Sequence, residues 1–288
     1  MLYSKTKVRA GILFFFVLIN TGIYYGVYFE SRDDLLTVAF LDIGQGDAIF
    51  IEAPNGNQVI IDGGPNGKIL SELAKLLPLY DRSIDMLVVT NPDKDHYAGF
   101  IDLLKSYEVS EVLEPGTLTP TETYKVLQKS IKEHNIPDVL ARRGMKIILD
   151  EEADAYIYIL FPDRDVSGLK TNDGSIVARL VYGNTSVMLT GDSPQSIENY
   201  LSTIDGKNLK SDVLKVGHHG SRTSTGEQFL GYVDPTYAVI SDGKGNSYGH
   251  PHQETLDNLA RFDVKVFRTD ELGTVIMKSN GEKIVFNK

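Results

Sequence analysis

The chain has 288 residues, 42% hydrophobic and 24% charged, with no cysteine. That composition is globular and long enough for a large core; it excludes disulfides and leaves any metal site to histidine and oxygen ligands. A net charge of −10 excludes a general basic footprint for nucleic acid, so contact with DNA or RNA has to be local or metal-mediated.

The first predicted element is an apolar helix. Residues 10–29 run without a charge for 20 positions, which at about 1.5 Å per residue spans roughly 30 Å, the thickness of a bilayer core. Lys5, Lys7 and Arg9 precede it, whereas Arg32 follows among Glu30, Asp33 and Asp34. This bias predicts a single-pass membrane anchor with the N-terminus cytoplasmic and the remainder extracytoplasmic. Tyr24, Tyr25, Tyr28 and Phe29 would sit at the outer interface. The competing reading, a cleaved signal peptide, calls for a shorter apolar stretch and a small-residue cleavage site; here the stretch ends in bulky aromatics. Residues 1–34 are therefore expected to hold the cytoplasmic N-terminus, the anchor and a short linker at 30–34, and residues 35–288 a single domain.

Strand signals dominate after Leu35. Residues 36–43, 48–53 and 58–61 read as strands, with Asn55-Gly56 as the tight turn between the last two. A helix is expected over about 67–77. The continuous apolar run at 84–90 reads as a buried strand, and helices follow near 97–106 and 122–134. Further strands are expected at 155–161, 175–182 and 185–190, with Gly183-Asn184 at a turn. Ser193-Pro194 reads as a cap followed by proline at the first helical position. Short strands at 212–216 and 237–241 and a closing pair around Asn280-Gly281 complete the series. Residues 46–63 and 174–192 share one plan: strand, tight turn, strand, then an aspartate leading towards a helix. This suggests two related β-rich halves of one domain.

Five of the six histidines fall in three windows: His96; His218 and His219; His250 and His252. His134, on a predicted helix, reads as a surface residue. Asp93, Asp95 and His96 follow the buried strand at 84–90, where loops at strand ends point into the crevice used by α/β sites. Three donors within four residues can converge on one cation, although Asp-x-Asp alone more often means a turn and a helix cap. Asp192, directly after an apolar strand, can bridge two cations; an N-cap is its other reading, for which Ser193 is the better candidate. The His218-His219 pair ends a strand between glycines, which let the backbone approach a ligand closely, and reads as metal-binding or catalytic. His250, before a helix, reads equally as a cap. Pooled, these features point to a metal site whose Asp and His donors suit zinc, manganese or iron, oxygen-rich sets leaning towards manganese.

In their order, these motifs resemble the metallo-β-lactamase superfamily: Asp62-Gly63-Gly64, Asp93-x-Asp95-His96, Asn172 with Ser175, Thr190-Gly191-Asp192, His218-His219-Gly220-Ser221 and Gly249-His250-Pro251-His252. Together with the stretch from Phe40 to Ala48 they are similar above all to the hydrolase domain at the C-terminus of ComEC-type competence proteins. The resemblance runs from about Leu36 to the C-terminus. It implies an α/β fold, a four-layer αββα sandwich of two mixed sheets, with a one- or two-metal site at the sheet edge. It implies hydrolysis, often of phosphodiesters, by a metal-bound hydroxide whose pKa the cation lowers towards about 7. Asp95 and His96 would bind one metal, Asp93 would reach the other, Asp192 would bridge, and His218 or His219 would complete the set around one or two Mn2+ or Zn2+ ions. Asp95 and His250 carry the catalytic expectation, His250 as ligand or transition-state donor. Asp62 would orient the ligand loop from behind, with Asn91, Asn172, Ser175 and His252 also in that outer ring.

One position departs from the family: its first motif normally opens with histidine, and here stands Asn91. Asparagine is a poor zinc ligand, though its carbonyl can reach a hard cation, so the departure implies a mononuclear site or a manganese preference. The multi-helix channel of full ComEC-type proteins has no counterpart in this sequence. The expected function is a membrane-anchored, metal-dependent phosphodiesterase or nuclease acting on DNA or another phosphodiester. Lys210, Lys215, Arg222 and Lys244 are candidates for a local basic patch. The alternatives are a hydrolase of another surface-linked substrate and a non-catalytic binding module on the same fold.

Overall fold

The computed structural model describes residues 2–30 and 35–287. The chain divides into two compact units, Met1–Asp34 and Leu35–Lys288. Most of the expected linker, and the side chains of Tyr28 and Phe29 expected at the membrane interface, lie outside the described residues.

In the first unit, α1 (Leu2–Glu30) is a single helix. Its stretch Lys7–Gly26, 20 residues with a mean hydropathy of 1.5, is long and apolar enough to cross a membrane. Two polar residues within it are satisfied locally: the Asn20 amide donates to the carbonyl of Phe16 and the Thr21 hydroxyl to that of Val17, each at 2.8 Å. Such back-bonding removes most of the cost of carrying them through an apolar medium.

The second unit begins with β1 (Leu36–Phe40), β2 (Ile49–Glu52), β3 (Gln58–Ile61), α2 (Lys68–Leu76), β4 (Ser83–Val88), α3 (Lys94–Leu103), β5 (Glu108–Glu114), α4 (Glu122–Glu133) and β6 (Asp138–Leu140). It continues through β7 (Lys146–Asp150), β8 (Ala155–Phe161), β9 (Val177–Tyr182), β10 (Thr185–Leu189), α5 (Gln195–Asp205), β11 (Val213–Lys215), α6 (Glu227–Val233) and β12 (Tyr237–Ile240). It closes with α7 (Gln253–Arg261), β13 (Lys265–Arg268), α8 (Thr269–Leu272), β14 (Val275–Ser279) and β15 (Ile284–Asn287). One sheet runs β15-β14-β1-β2-β3-β4-β5-β6, the other β13-β12-β11-β10-β9-β8-β7.

Three apolar clusters arrange these parts in four layers. Between the sheets, Val38, Ile49 and Ile61 share a core with Ile157, Leu180 and Leu189. On the outer face of the first sheet, Ala39, Phe50 and Leu87 pack with Ile69 and Leu73 of α2, Phe100 of α3 and Leu127 of α4. On the outer face of the second, Met188 and Leu214 pack with Leu201, Phe229 and Leu259 of α5, α6 and α7. The central strands are buried on both faces, which is why they read as continuous apolar runs. This is the αββα sandwich that the resemblance implies.

The two halves follow one plan in three dimensions as well. In each, a hairpin (β2–β3, β9–β10) is followed outward by three parallel strands, β4-β5-β6 and β11-β12-β13. The candidate ligands follow β3, β4, β10, β11 and β12, so the plan brings them to one edge of the sandwich, where strand carboxyl ends open crevices.

Two local expectations need correction. The helix expected from 97 begins at Lys94, because Asp93 is still extended (φ −89°, ψ 145°); Asp95 and His96 thus ride on the first turn of α3, not on a loop. At the start of α5, Pro194 rather than Ser193 occupies the extended cap position. Ser193 is buried, and its hydroxyl makes no hydrogen bond. Strands β5, β6, β7 and β13 and helices α6 and α8 were not anticipated, whereas α7 is the helix expected after His250. β5 and β7 each open on an exposed charged residue, Glu108 and Lys146, and are fully buried only at their last residues, which weakens the signal of a buried strand.

Candidate metal centre

After β3 the chain turns sharply at Asp62, whose φ of 61° lies in the left-handed region that aspartate tolerates better than most residues. Its buried carboxylate accepts three hydrogen bonds: from the Thr90 amide (2.8 Å), the Thr90 hydroxyl (2.6 Å) and Nδ1 of His96 (2.8 Å). Engaging Nδ1 fixes the ring so that Nε2 faces forward, 3.1 Å from Oδ2 of Asp192. Two glycines make this approach possible. A Cβ on Gly99 would stand 2.0 Å from the Gly63 carbonyl oxygen, and one on Gly46 2.2 Å from that of Asp95.

His219 is arranged in the same way. Its Nδ1 donates to the carbonyl of Ser241 (3.0 Å), and Nε2 lies 3.4 Å from Oδ2 of Asp95 and 3.7 Å from Oδ1 of Asp192. His218 pairs Nδ1 with the Thr223 hydroxyl (3.2 Å) and sets Nε2 3.7 Å from Oδ2 of Asp192. Both histidines have positive φ, 48° and 54°. Two successive non-glycine residues in that region are costly, and the turn they make aims both rings at one aspartate. His250 completes the row, its ring 5.6 Å from that of His218 and 6.3 Å from that of His219.

These groups line a cleft of about 320 Å³ whose walls include Asp93, Asp95, Asp192, His218, His219 and His250. Gln45, Lys94 and Tyr248 line it too. Asp93 is half-buried and accepts the Thr171 hydroxyl (2.9 Å).

The donor set fits a divalent cation. His96 Nε2, His219 Nε2 and Asp192 Oδ1 are buried and make no well-directed hydrogen bond; the rings meet only carboxylate oxygens, at 3.1 Å and 3.4 Å, an arrangement that a cation between them would complete. Asp95, His96 and His219 bring donor atoms within 4.8 Å of one another, with Asp192 between the two rings. Two other groupings, Asp47-Asp62-His96 and Asp47-Asp192-His219, also meet that spacing, but Asp62 is occupied by Thr90 and His96, and Asp47 by Lys215.

The electrostatics have the same origin. Burial disfavours the charged form of His219, yet the carboxylates of Asp192 and Asp47 outweigh it and push the ring up to about 10. His96 is raised against burial by Asp192 and Asp62. Burial pulls against ionisation of Asp192, but His96 and His219 hold it below the ordinary carboxylate range. Without a cation the rings thus compete for protons in its place, and metal binding must expel them. His250 behaves oppositely: burial, reinforced by the charges of His219 and His218, lowers it to about 4, so it is neutral at pH 7.

Of the residues singled out from the sequence, Asp93, Asp95, His96, Asp192, His218, His219 and His250 converge, and Asp62 stands behind them. The others do not reach the cleft wall. Asn91 is fully buried, its Oδ1 accepting the Asp93 amide (2.9 Å). Asn172 and Ser175 lie just beyond Thr171, the partner of Asp93, with buried, unbonded oxygens. His252 caps α7, and its Nδ1 accepts the Arg222 amide (3.1 Å).

The expected basic patch is corrected at Lys215. Only 1% of its side chain is exposed, and Nζ is 2.8 Å from Oδ1 of Asp47. Lys210 is paired with Asp234, and Arg222 approaches Glu254 at 3.9 Å. Asp47, Gln45 and Tyr248 were missed as parts of the site. A legible signal existed for Asp47 and Lys215, since a charge inside an apolar run seldom goes unpaired; Tyr248 gave none.

A family model described as "Metallo-beta-lactamase superfamily" matches residues 41–241. ComE operon protein 3 of Bacillus subtilis is 35% identical over 256 residues, 83% of this chain and 32% of the relative. Recombination protein 2 of Haemophilus influenzae is 32% identical over 240 residues, 82% of this chain and 28% of the relative. The chain thus spans about a third of the length of these curated relatives. Among solved structures, CmlA, a diiron beta-hydroxylase from Streptomyces venezuelae, aligns with a TM-score of 0.53 at 14% identity over 81% of this chain and 52% of that one; this likeness concerns the fold alone.

Proposed function

Since the chain belongs to the metallo-beta-lactamase superfamily, we propose that its second unit is a divalent-metal-dependent phosphodiesterase that cleaves DNA and is held outside the cytoplasm by α1. The observation that carries the proposal is the cluster of buried donor atoms that make no well-directed hydrogen bond and converge on one point: His96 Nε2, His219 Nε2 and Asp192 Oδ1. With Asp95 they would hold one ion, manganese or zinc. Asn91 is left outside this set: its Oδ1 already accepts the Asp93 amide, and an amide oxygen is a poor ligand for zinc. When bound, such an ion supplies Lewis acidity to a phosphoryl oxygen and lowers the pKa of a water.

The chain's own residues do the rest. Asp62 and the Ser241 carbonyl hold the two ligand rings in the tautomer that presents Nε2. Asp95, with 34% of its side chain exposed, faces the cleft and can accept the proton of an attacking water. His250, neutral and edge-on to His218, can donate an N–H to a phosphate oxygen. The name of the Haemophilus relative, a recombination protein, supports DNA as the polymer. The Lys5, Lys7 and Arg9 cluster before the apolar stretch of α1 supports the orientation.

The test is to load the full chain in detergent with Mn2+ or Zn2+ and count ions by elemental mass spectrometry, then assay DNA cleavage. One ion per chain, lost in Asp192→Ala together with cleavage, is expected. A chain that binds no ion overturns the proposal, as does a loaded chain that cleaves no phosphodiester.

A further inference from the structure

Tyr248 stands apart from everything else in the cleft. The other wall residues are acids, histidines, one glutamine and one lysine, whereas Tyr248 presents a ring that is 64% exposed. It lies over His250, ring centroids 5.7 Å apart and planes 24° from parallel. Its position is built. Asn246 ties the loop between β12 and α7 through four hydrogen bonds, accepting from the amides of Tyr248 (3.2 Å) and His250 (3.0 Å) and donating to the carbonyls of Gly243 (3.0 Å) and His250 (2.7 Å). An ordered loop thus spends its bonds on holding an exposed aromatic at the cleft.

The cleft wall offers a polyanion one lysine, Lys94, among three aspartates. Lys215 is buried on Asp47, Lys210 is taken by Asp234, and the net charge is −10. Beyond a bound cation and Lys94, the acidic wall leaves affinity to groups indifferent to charge. A ring with one open face offers that to a planar partner, because base–aromatic stacking tolerates an acidic surround. Bases of a duplex are already stacked and paired, so only an unpaired strand can use it.

We infer that Tyr248, backed by His250, is a stacking platform for the nucleobase beside the scissile phosphodiester of a single-stranded DNA. The inference rests on the phosphodiesterase reading above. Tyr248 is then a binding residue, and it selects unpaired over paired strands.

The probe is a short single-stranded oligodeoxynucleotide carrying one 2-aminopurine, with an abasic oligomer of equal length and a duplex as comparators. Binding to the full chain in detergent is read by fluorescence with Ca2+ present, and cleavage separately with Mn2+. Stacking should quench the 2-aminopurine. Tyr248→Ala should abolish the quench and weaken single-strand binding about tenfold or more, leaving the abasic oligomer unaffected; Tyr248→Phe should behave as wild type. An equal loss on both oligomers, or no loss on either, overturns the inference. Quenched binding without cleavage in Mn2+ sinks the phosphodiesterase reading and leaves the platform standing. No binding to any oligomer sinks both.

Discussion

The Asp47–Lys215 pair allows a sharp test of what holds the site together. Nζ and Oδ1 are 2.8 Å apart and both side chains are 2% exposed or less. At an effective dielectric of 20, their attraction is about 6 kcal/mol, against a desolvation penalty of several kcal/mol for each ion. The pair therefore contributes little net stability, but each charge depends heavily on the other. Lys215→Met leaves a buried carboxylate beside His219, and Asp47→Asn leaves a buried ammonium bonded only to the Val216 carbonyl. Each single variant should lose about 3–5 kcal/mol, or roughly 6–20 °C in Tm for a unit of this size. The double variant should lose far less than the sum of the two, with a coupling energy of about 2 kcal/mol or more. Urea or thermal unfolding of the four proteins, followed by circular dichroism, supplies the cycle. Additive losses, or a Lys215→Met variant within 1 kcal/mol of wild type, would refute this account of the pair.

Further outcomes follow from other parts of the structure. Glu198 is buried and pushed up to about 7 by burial, its two bonds to the amides of Thr225 and Gly226 offsetting this only in part. Between its unfolded value of 4.5 and 7, the folded state holds a proton that the unfolded state has lost. Stability should therefore fall as pH rises through that window, by on the order of 3 kcal/mol, and denaturant midpoints at pH 5 and pH 8 should show a smaller drop for Glu198→Gln. Gly99→Ala would drive a methyl into the Gly63 carbonyl, separating the Asp62 turn from α3; a loss of at least about 2 kcal/mol, with weakened metal binding in calorimetry, is expected, and an unchanged metal affinity would contradict it. Asn91→His should raise bound zinc from one ion to two per chain, whereas an unchanged count would show that a side chain at this position cannot reach a second ion. An intact N-terminus by mass spectrometry of membrane-extracted protein is expected of an anchor, and a chain starting near residue 30 would mean cleavage.

Much of this protein is legible in one dimension. A membrane-length apolar stretch is a matter of composition, and α1 follows from it directly. Gln58–Ile61 and Ala155–Phe161 were readable because a strand buried on both faces is a run of apolar residues, and the ligand windows were readable because histidine is scarce and clustered. Short or half-exposed strands such as Asp138–Leu140 and Lys146–Asp150 were not, since their pairing comes from neighbours far along the chain. Nor could periodicity reveal that Asp192, His96 and His219 face one another. That depends on two hairpin-plus-parallel-strand halves meeting at one edge, and on glycines that let the loops touch. Which lysine is buried was also settled in space: Lys215 and Lys210 look alike as letters, but the fold buries Lys215 on Asp47 and leaves Lys210 on the surface beside Asp234. The choice between Asn91 as a ligand and Asn91 as a brace for its own loop was not legible either, because a side-chain carbonyl can face a metal or the amide two residues on, and in the fold it accepts the amide of Asp93.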